Sequence, residues 1–205
     1  MDKVDFKKTI AAYSAPRGRF EIIDVPVLRY LMIDGQGDPN SAPEFADAVS
    51  TLFAVAYRLK FFSKLQLDRD YVVMPLEALW WSDDMSAFTT SPDKSRWSWT
   101  ALMLVPDWIT QEQFDEVCRA VAAGGEASAL PKLRLAELAE GRCVQTLFVG
   151  PFDQEGPVLE ELHTRFMPEA GLRMTGLHHE IYLADVRRTA PEKLRTILRQ
   201  PVTDA

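Results

Sequence analysis

Two carboxylates sit in unusual surroundings. Glu77 lies in Val72-Val73-Met74-Pro75-Leu76-Glu77-Ala78-Leu79-Trp80-Trp81, and Glu180 in Leu177-His178-His179-Glu180-Ile181-Tyr182-Leu183. Each stretch otherwise reads as an apolar, aromatic strand. An ionised carboxylate in such surroundings costs several kcal/mol, so it requires a partner, a raised pKa or a compensating ligand. The chemistry within reach is general acid–base work or the binding of a cationic or flat aromatic molecule. Strand alternation sharpens this: Glu77, Leu79 and Trp81 share one face, Leu76, Ala78 and Trp80 the other, and His178, Glu180 and Tyr182 share a face. The same rule groups Trp97, Trp99, Ala101 and Met103. If these faces line one cleft, it holds two acids, several indoles, a phenol and an imidazole.

Each feature also has a plainer explanation. Strand tryptophans commonly serve as core, and Glu77 also suits an edge residue paired with an arginine. Such an explanation fits Glu180 less well, because Leu177, Ile181 and Leu183 flank it. Adjacent His178 and His179 point to opposite faces and lack a third ligand at a usual spacing, which argues against a metal. Cys118 and Cys143 sit among apolar residues without a basic motif nearby and read as inert thiols. Gly35-x-Gly37 lacks the rest of a dinucleotide fingerprint and reads as a turn.

The elements that must position these residues follow from periodicity and punctuation. Phe20 to Ile33 reads as strand, ended by Asp34-Gly35-Gln36-Gly37-Asp38-Pro39. Ser41-Ala42-Pro43-Glu44 has the form of a capping box and opens a helix to about Lys60. Tyr71 to Trp81 and Trp97 to Val105 read as strands joined by a polar loop. Thr110-Gln111-Glu112-Gln113 opens a second helix that Gly124-Gly125 stops. A helical piece is expected over Lys132 to Glu140, a strand over Cys143 to Val149, a helix from Pro157 and a strand over Leu177 to Leu183. Thr189-Ala190-Pro191-Glu192 then opens a short helix, or one turn before a last strand toward Val202.

Two copies of a strand-helix-strand-strand unit emerge, with Tyr30 to Val105 corresponding to Val144 to Val202. The expected fold is therefore α+β: a pseudo-twofold duplication forming antiparallel sheet around a central ligand cleft, with Glu77 and Glu180 in matching places. We expect one domain over residues 1–205: a first repeat at about 19–106, connecting helices at about 110–140 and a second repeat at about 141–203.

Composition excludes other classes. A net charge of −7 without a basic run argues against a nucleic-acid surface, and 47% hydrophobic residues suffice for a core. No apolar run approaches the roughly 20 residues of a membrane span. Without a signal-peptide pattern and with two isolated cysteines, a cytoplasmic, reduced protein is expected, a monomer or weak homodimer with no cofactor or metal.

The segments Tyr71-Val-Val-Met-Pro-Leu-Glu-Ala-Leu-Trp-Trp81, Gly141-Arg-Cys-Val-Gln145 leading to Gly150-Pro-Phe-Asp153, and His178-His-Glu-Ile-Tyr-Leu-Ala-Asp185 with Arg187-Arg-Thr-Ala-Pro-Glu-Lys-Leu194 resemble the GyrI-like small-molecule-binding family. The resemblance covers nearly the whole chain. It is nearest to the stand-alone branch that includes cyclopropanoid cyclopropyl hydrolases, which detoxify DNA-alkylating natural products of the yatakemycin and duocarmycin type. No helix-turn-helix segment is evident.

The resemblance implies that Glu180 is the pocket acid and Tyr182 its neighbour. It implies that Glu77, Trp80 and Trp81 belong to the first-half strand motif. Phe148 and Phe152 stand where relatives carry His and Tyr, and Val186 replaces a usual proline, which bears on substrate more than on fold. The implied reaction is water addition across a strained cyclopropane. Glu180 would be the base, its pKa raised by apolar walls, with Tyr182 or a Trp N–H as hydrogen-bond donor and Glu77 as a second polar anchor or the alternative base. Glu77, Trp80, Trp81, Trp97, Trp99, His178, Phe148 and Tyr30 would contact the ligand. The rival reading is a non-catalytic protein that sequesters or senses a cationic aromatic ligand.

Overall fold

The computed structural model describes residues 2–82, 93–125 and 127–205. The polar loop expected between Trp81 and Trp97 lies largely outside them. The chain is α+β, and the strand pairs within each of its two units are antiparallel. A single helical turn, α1 (Phe6–Thr9), comes first. The chain divides into two compact units: 1–6 with 28–138, and 7–27 with 139–205.

The first unit contains strands β2 (Leu28–Gln36), β3 (Glu77–Trp81), β4 (Ser98–Leu104) and β5 (Arg134–Leu138), with helices α2 (Pro43–Gln66) and α3 (Gln111–Gly124). Its strand order is β5-β2-β4-β3. Helix α2 buries Ala48, Thr51, Leu52, Val55, Ala56 and Leu59, a stripe at helical spacing. Its Phe45 ring lies 4.9 Å from Trp99 and 5.8 Å from Trp80, so α2 covers the face bearing those tryptophans. Gly35 permits this packing, because a Cβ there would sit 2.2 Å from the Trp99 ring.

The second unit contains β1 (Glu21–Val25), β6 (Gly141–Val149), β7 (Leu172–Met174), β8 (His178–Tyr182) and β9 (Arg195–Asp204). It also contains a helical segment of α4 (Gly156–Glu161), a π-helical turn (Leu162–Phe166) and α5 (Met167–Glu169). The strand order is β1-β6-β9-β8, with β7 pairing the end of β9. The wide turn is closed by the Met167 N–H donating to the Leu162 carbonyl, just ahead of Pro168, whose ring cannot donate. Leu162 and Met167 pack with Val144, Leu172 and Val202, which seats the helical segment on one face of this sheet.

The same arrangement occurs in each unit: an edge strand, then the first, last and middle strands of a strand-helix-strand-strand repeat. Glu77 pairs with Leu102 and Glu180 with Leu198, so the two acids occupy equivalent positions beside the last strand of their repeats. Two residues on, Leu79 pairs with Thr100 and Tyr182 with Thr196.

Several local expectations are corrected. Pro26-Val27 breaks the Phe20–Ile33 segment, sending β1 and β2 into different units. Tyr71 makes only an isolated bridge with Val4, and the strand begins at Glu77. Arg134–Leu138 is a strand, not a helix: edge pairing with β2 overrides the helical propensity of Leu-Ala-Glu-Leu. Helix α2 extends to Gln66, and its N-cap is Ala42 with no side-chain hydrogen bond. The Thr110/Gln113 capping box is present as read, and Gly125 closes α3 in the left-handed conformation. Among the described residues no helix is long and apolar enough to cross a membrane.

Candidate functional site

The register of the second unit separates two chemistries on opposite faces of β8. His179 pairs with Arg199, which pairs with Gln145, so these three form a row across the sheet. Glu140 binds His179 Nδ1 at 2.9 Å and Arg199 Nη1 at 2.8 Å. Arg199 Nε donates to Gln145, whose amide donates to Ser14 O and Glu21. Arg199 also donates to Ala12 O. Burial by itself would raise the Glu140 carboxyl, but the His179 and Arg199 contacts outweigh it and hold the pKa down at about 2. This closed network fixes β8 and the 11–21 segment on one side of the sheet.

The other face carries Phe148, Thr196, Leu198, Glu180, Tyr182 and His178, with the helical segment over its neighbouring core residues. The Tyr182 hydroxyl donates to Glu180 Oε2 at 2.8 Å, and His178 Nε2 lies 3.6 Å from Glu180 Oε1. Phe152 meets the Tyr182 ring edge-on, with centroids 5.4 Å apart. Gly150, at φ 152°, leaves room for Phe148, whose ring tip would stand 3.0 Å from a Cβ at that position.

Glu155 enters this face from the residue preceding α4. It is 4% exposed, and its buried Oε1 has no hydrogen-bond partner. Burial first and the facing Glu180 charge second push its carboxyl up to about 9, with the Thr196 hydroxyl acting weakly the other way. Burial and the Glu180 charge thus favour the neutral, protonated form of Glu155. His163, on the π-helical turn, is lowered by burial and by His178. A buried carboxyl whose pKa is raised, set beside a second carboxylate, suits the pair to acting as an acid and a base in one reaction.

Of the residues expected at the site, Glu180, Tyr182, His178 and Phe148 come together on one face. Glu77 is fully buried at the start of β3, on the face that also bears Tyr30 and Trp81, and Tyr30 is fully buried too. Trp80 and Trp99 are on the opposite, α2-covered face, with Trp97 against Trp80 at 5.6 Å. Trp99 is fully buried against Phe45 and Gly35, so the ligand-platform role expected of it is corrected to core packing. The second-half acid has a tyrosine two residues on where the first has Leu79, and Glu155 has no counterpart, since Ala42 precedes α2. The cysteine thiols are pushed up by burial, Cys118 to about 11 and Cys143 to about 12, in keeping with inert groups. Among the described residues no group of three or more metal-ligating side chains is assembled.

Sequence reasoning missed Glu155 and His163. Glu155 sits in the Gly-Pro-Phe-Asp-Gln-Glu-Gly-Pro loop, where nothing periodic marks burial. His163 is aimed by a π-helical turn that departs from the 3.6-residue period.

The family model for a GyrI-like small-molecule-binding domain matches residues 19–203. The chain belongs to the GyrI-like family. An uncharacterized conserved protein from Listeria innocua is 40% identical, with a TM-score of 0.88 over 98% of this chain and 100% of that one. A hydrolase from Listeria innocua is 38% identical, with a TM-score of 0.84 over the same shares. A hydrolase encoded by lin2189 of that organism is likewise 38% identical, with a TM-score of 0.85, 98% of this chain and 100% of that one being covered. The EcmrR C-terminal domain, 9% identical with a TM-score of 0.56 over 91% of this chain and 98% of that one, shares the fold alone. No curated protein matches the chain. The GyrI-like assignment makes this a small-molecule-binding domain and agrees with the acid-and-aromatic face of its second repeat.

Proposed function

We propose that this GyrI-like protein hydrolyses flat aromatic, cyclopropane-bearing DNA-alkylating compounds at the Glu180/Glu155 face, a detoxifying activity. The observation that carries the reading is the buried Glu155 carboxyl, with an unpartnered Oε1 and a pKa raised by burial and by Glu180, which is itself hydrogen-bonded to Tyr182. The likeness to two Listeria innocua proteins described as hydrolases supports a hydrolytic reaction.

Glu180 takes a proton from water, and the water oxygen bonds to the electrophilic cyclopropane carbon. The strained C–C bond breaks, and its electron pair passes into the conjugated carbonyl. Glu155 gives its proton to that oxygen as charge develops there. Proton transfer from Glu180 back to Glu155 resets the pair, and the net change is addition of one water. Tyr182 fixes the Glu180 carboxylate, and the rings of Phe148, Phe152 and Tyr182 supply apolar surface for a planar substrate.

The test uses catalytic protein with a duocarmycin-type cyclopropane, followed by mass spectrometry. Product carrying one added water, formed over many turnovers and reduced about 10²- to 10⁴-fold in Glu180→Gln, is expected. Near wild-type turnover in Glu180→Gln removes it as the base.

The placement of Glu180 beside the Tyr182 and Phe152 rings also suits a cationic aromatic ligand held without turnover. Stoichiometric saturation with no product would establish that second reading.

A further inference from the structure

A groove of about 470 Å³ lies between β6, the 17–20 segment and α4 with its π-helical turn. Its walls include Arg17, Arg19 and Arg165 together with Phe20, Phe148 and Phe166. Glu155, His163, His178, Glu180 and Tyr182 do not line it. The groove is built by specific contacts. Arg17 bridges to Leu147, the Leu147 N–H donates to Pro16 O at 2.9 Å, and the Thr146 hydroxyl donates to Arg19 O at 2.9 Å. Gly18, at φ 72°, makes the turn that places Arg17 and Arg19 on either side of it. Opposite, the Phe166 ring packs on Phe20 with centroids 5.0 Å apart.

Its charge is opposite to that of the molecule. Arg165 is paired with Glu161, the one acidic residue of the lining, whereas Arg17 and Arg19 have no carboxylate partner among the described residues. Arg17 and Arg19, both exposed, thus line the same groove as three phenylalanines on a chain of net charge −7. Guanidinium forks bind carboxylate or phosphate oxygens in pairs, and phenyl walls favour a flat ring, so the lining has the two parts of a receptor for one kind of molecule.

We propose that this groove is a second ligand site, distinct from the carboxylate pair, which takes a small aromatic anion: a planar ring bearing a phosphate or carboxylate. The volume suits a molecule of one or two rings. The anionic group sits between Arg17 and Arg19, and the ring lies against Phe20, Phe148 and Phe166. The groove shares the Phe148 ring with the proposed substrate face but none of its acids, so variants at Arg17 and Arg19 and at Glu180 separate the two readings.

The test is an NMR titration of the full chain at low salt with phenyl phosphate, benzoate, inorganic phosphate and benzyl alcohol. Phenyl phosphate or benzoate should give saturable shifts at the amides of Gly18, Thr146 and Phe148, and which of the two binds tighter identifies the preferred anionic group. Inorganic phosphate and benzyl alcohol, each holding half of the recognition, should bind at least tenfold more weakly. The surface double variant Arg17→Gln/Arg19→Gln should weaken binding of the aryl anion at least tenfold, and Glu180→Gln should leave it unchanged. Absence of saturable shifts with either aryl anion up to 10 mM, a roughly tenfold ceiling above a 1 mM dissociation constant, overturns the proposal. Undiminished binding in the double variant, or loss of binding in Glu180→Gln, also overturns it.

Discussion

Glu155→Gln tests whether a proton is held between the two carboxyls. Burial, and after it the Glu180 charge, push the wild-type carboxyl from an ordinary value of 4.5 up to about 9. Between those values the folded protein keeps a proton that the unfolded chain has released, so this group's contribution falls as pH rises. Stability from it is full below about pH 4.5, declines through neutrality and levels off above pH 9. The limiting slope is about 1.4 kcal/mol per pH unit, so the largest difference between pH 5 and pH 8 is about 4 kcal/mol. Local relaxation and water entry reduce this, and about 2 kcal/mol is expected, or roughly 4–8 °C in Tm for a chain of this size. Glutamine preserves the shape and cannot ionise. The assay is thermal unfolding of wild type and Glu155→Gln at pH 5, 6, 7 and 8. The variant should gain on wild type steadily as pH rises. Glu180→Gln removes the opposing charge, so the same pH dependence should shrink in that background. A Tm difference that is flat with pH would show that Glu155 is not held protonated, and the acid role given to it would go with it.

Glu140→Gln should destabilise the protein by about 3–5 kcal/mol at pH 7 in urea unfolding, because it leaves Arg199 buried with a charge that lost its partner. The wild-type contribution of Glu140 is present above the ordinary carboxylate range and is lost as pH falls toward 2, so the gap between wild type and variant should close in acid. Gly35→Ala drives a Cβ into the Trp99 ring and should cost about 1–3 kcal/mol, with a change in tryptophan fluorescence that Gly124→Ala, at a position with no atom within 4 Å of the new Cβ, does not produce.

The repeated strand-helix-strand-strand pattern, the two acids at matching positions and the shared face of His178, Glu180 and Tyr182 were legible in the sequence. Those features rest on alternation along single strands, which is a local property of the chain. The α+β class followed from the same periodicities. The strand at Arg134–Leu138 was not legible, since its residues favour a helix and only pairing with β2 makes them extended. Trp99 could not be assigned from its spacing, because whether a strand face meets a helix or a ligand depends on what covers it; Phe45 and the absent Cβ of Gly35 decided that. The sequence also determined that two carboxylates lie in apolar surroundings. Only tertiary structure gave Glu180 its true opposite number. Glu155 comes from a loop 25 residues earlier in the chain, and its high pKa arises from burial and from a charge across space, neither of which a linear pattern encodes.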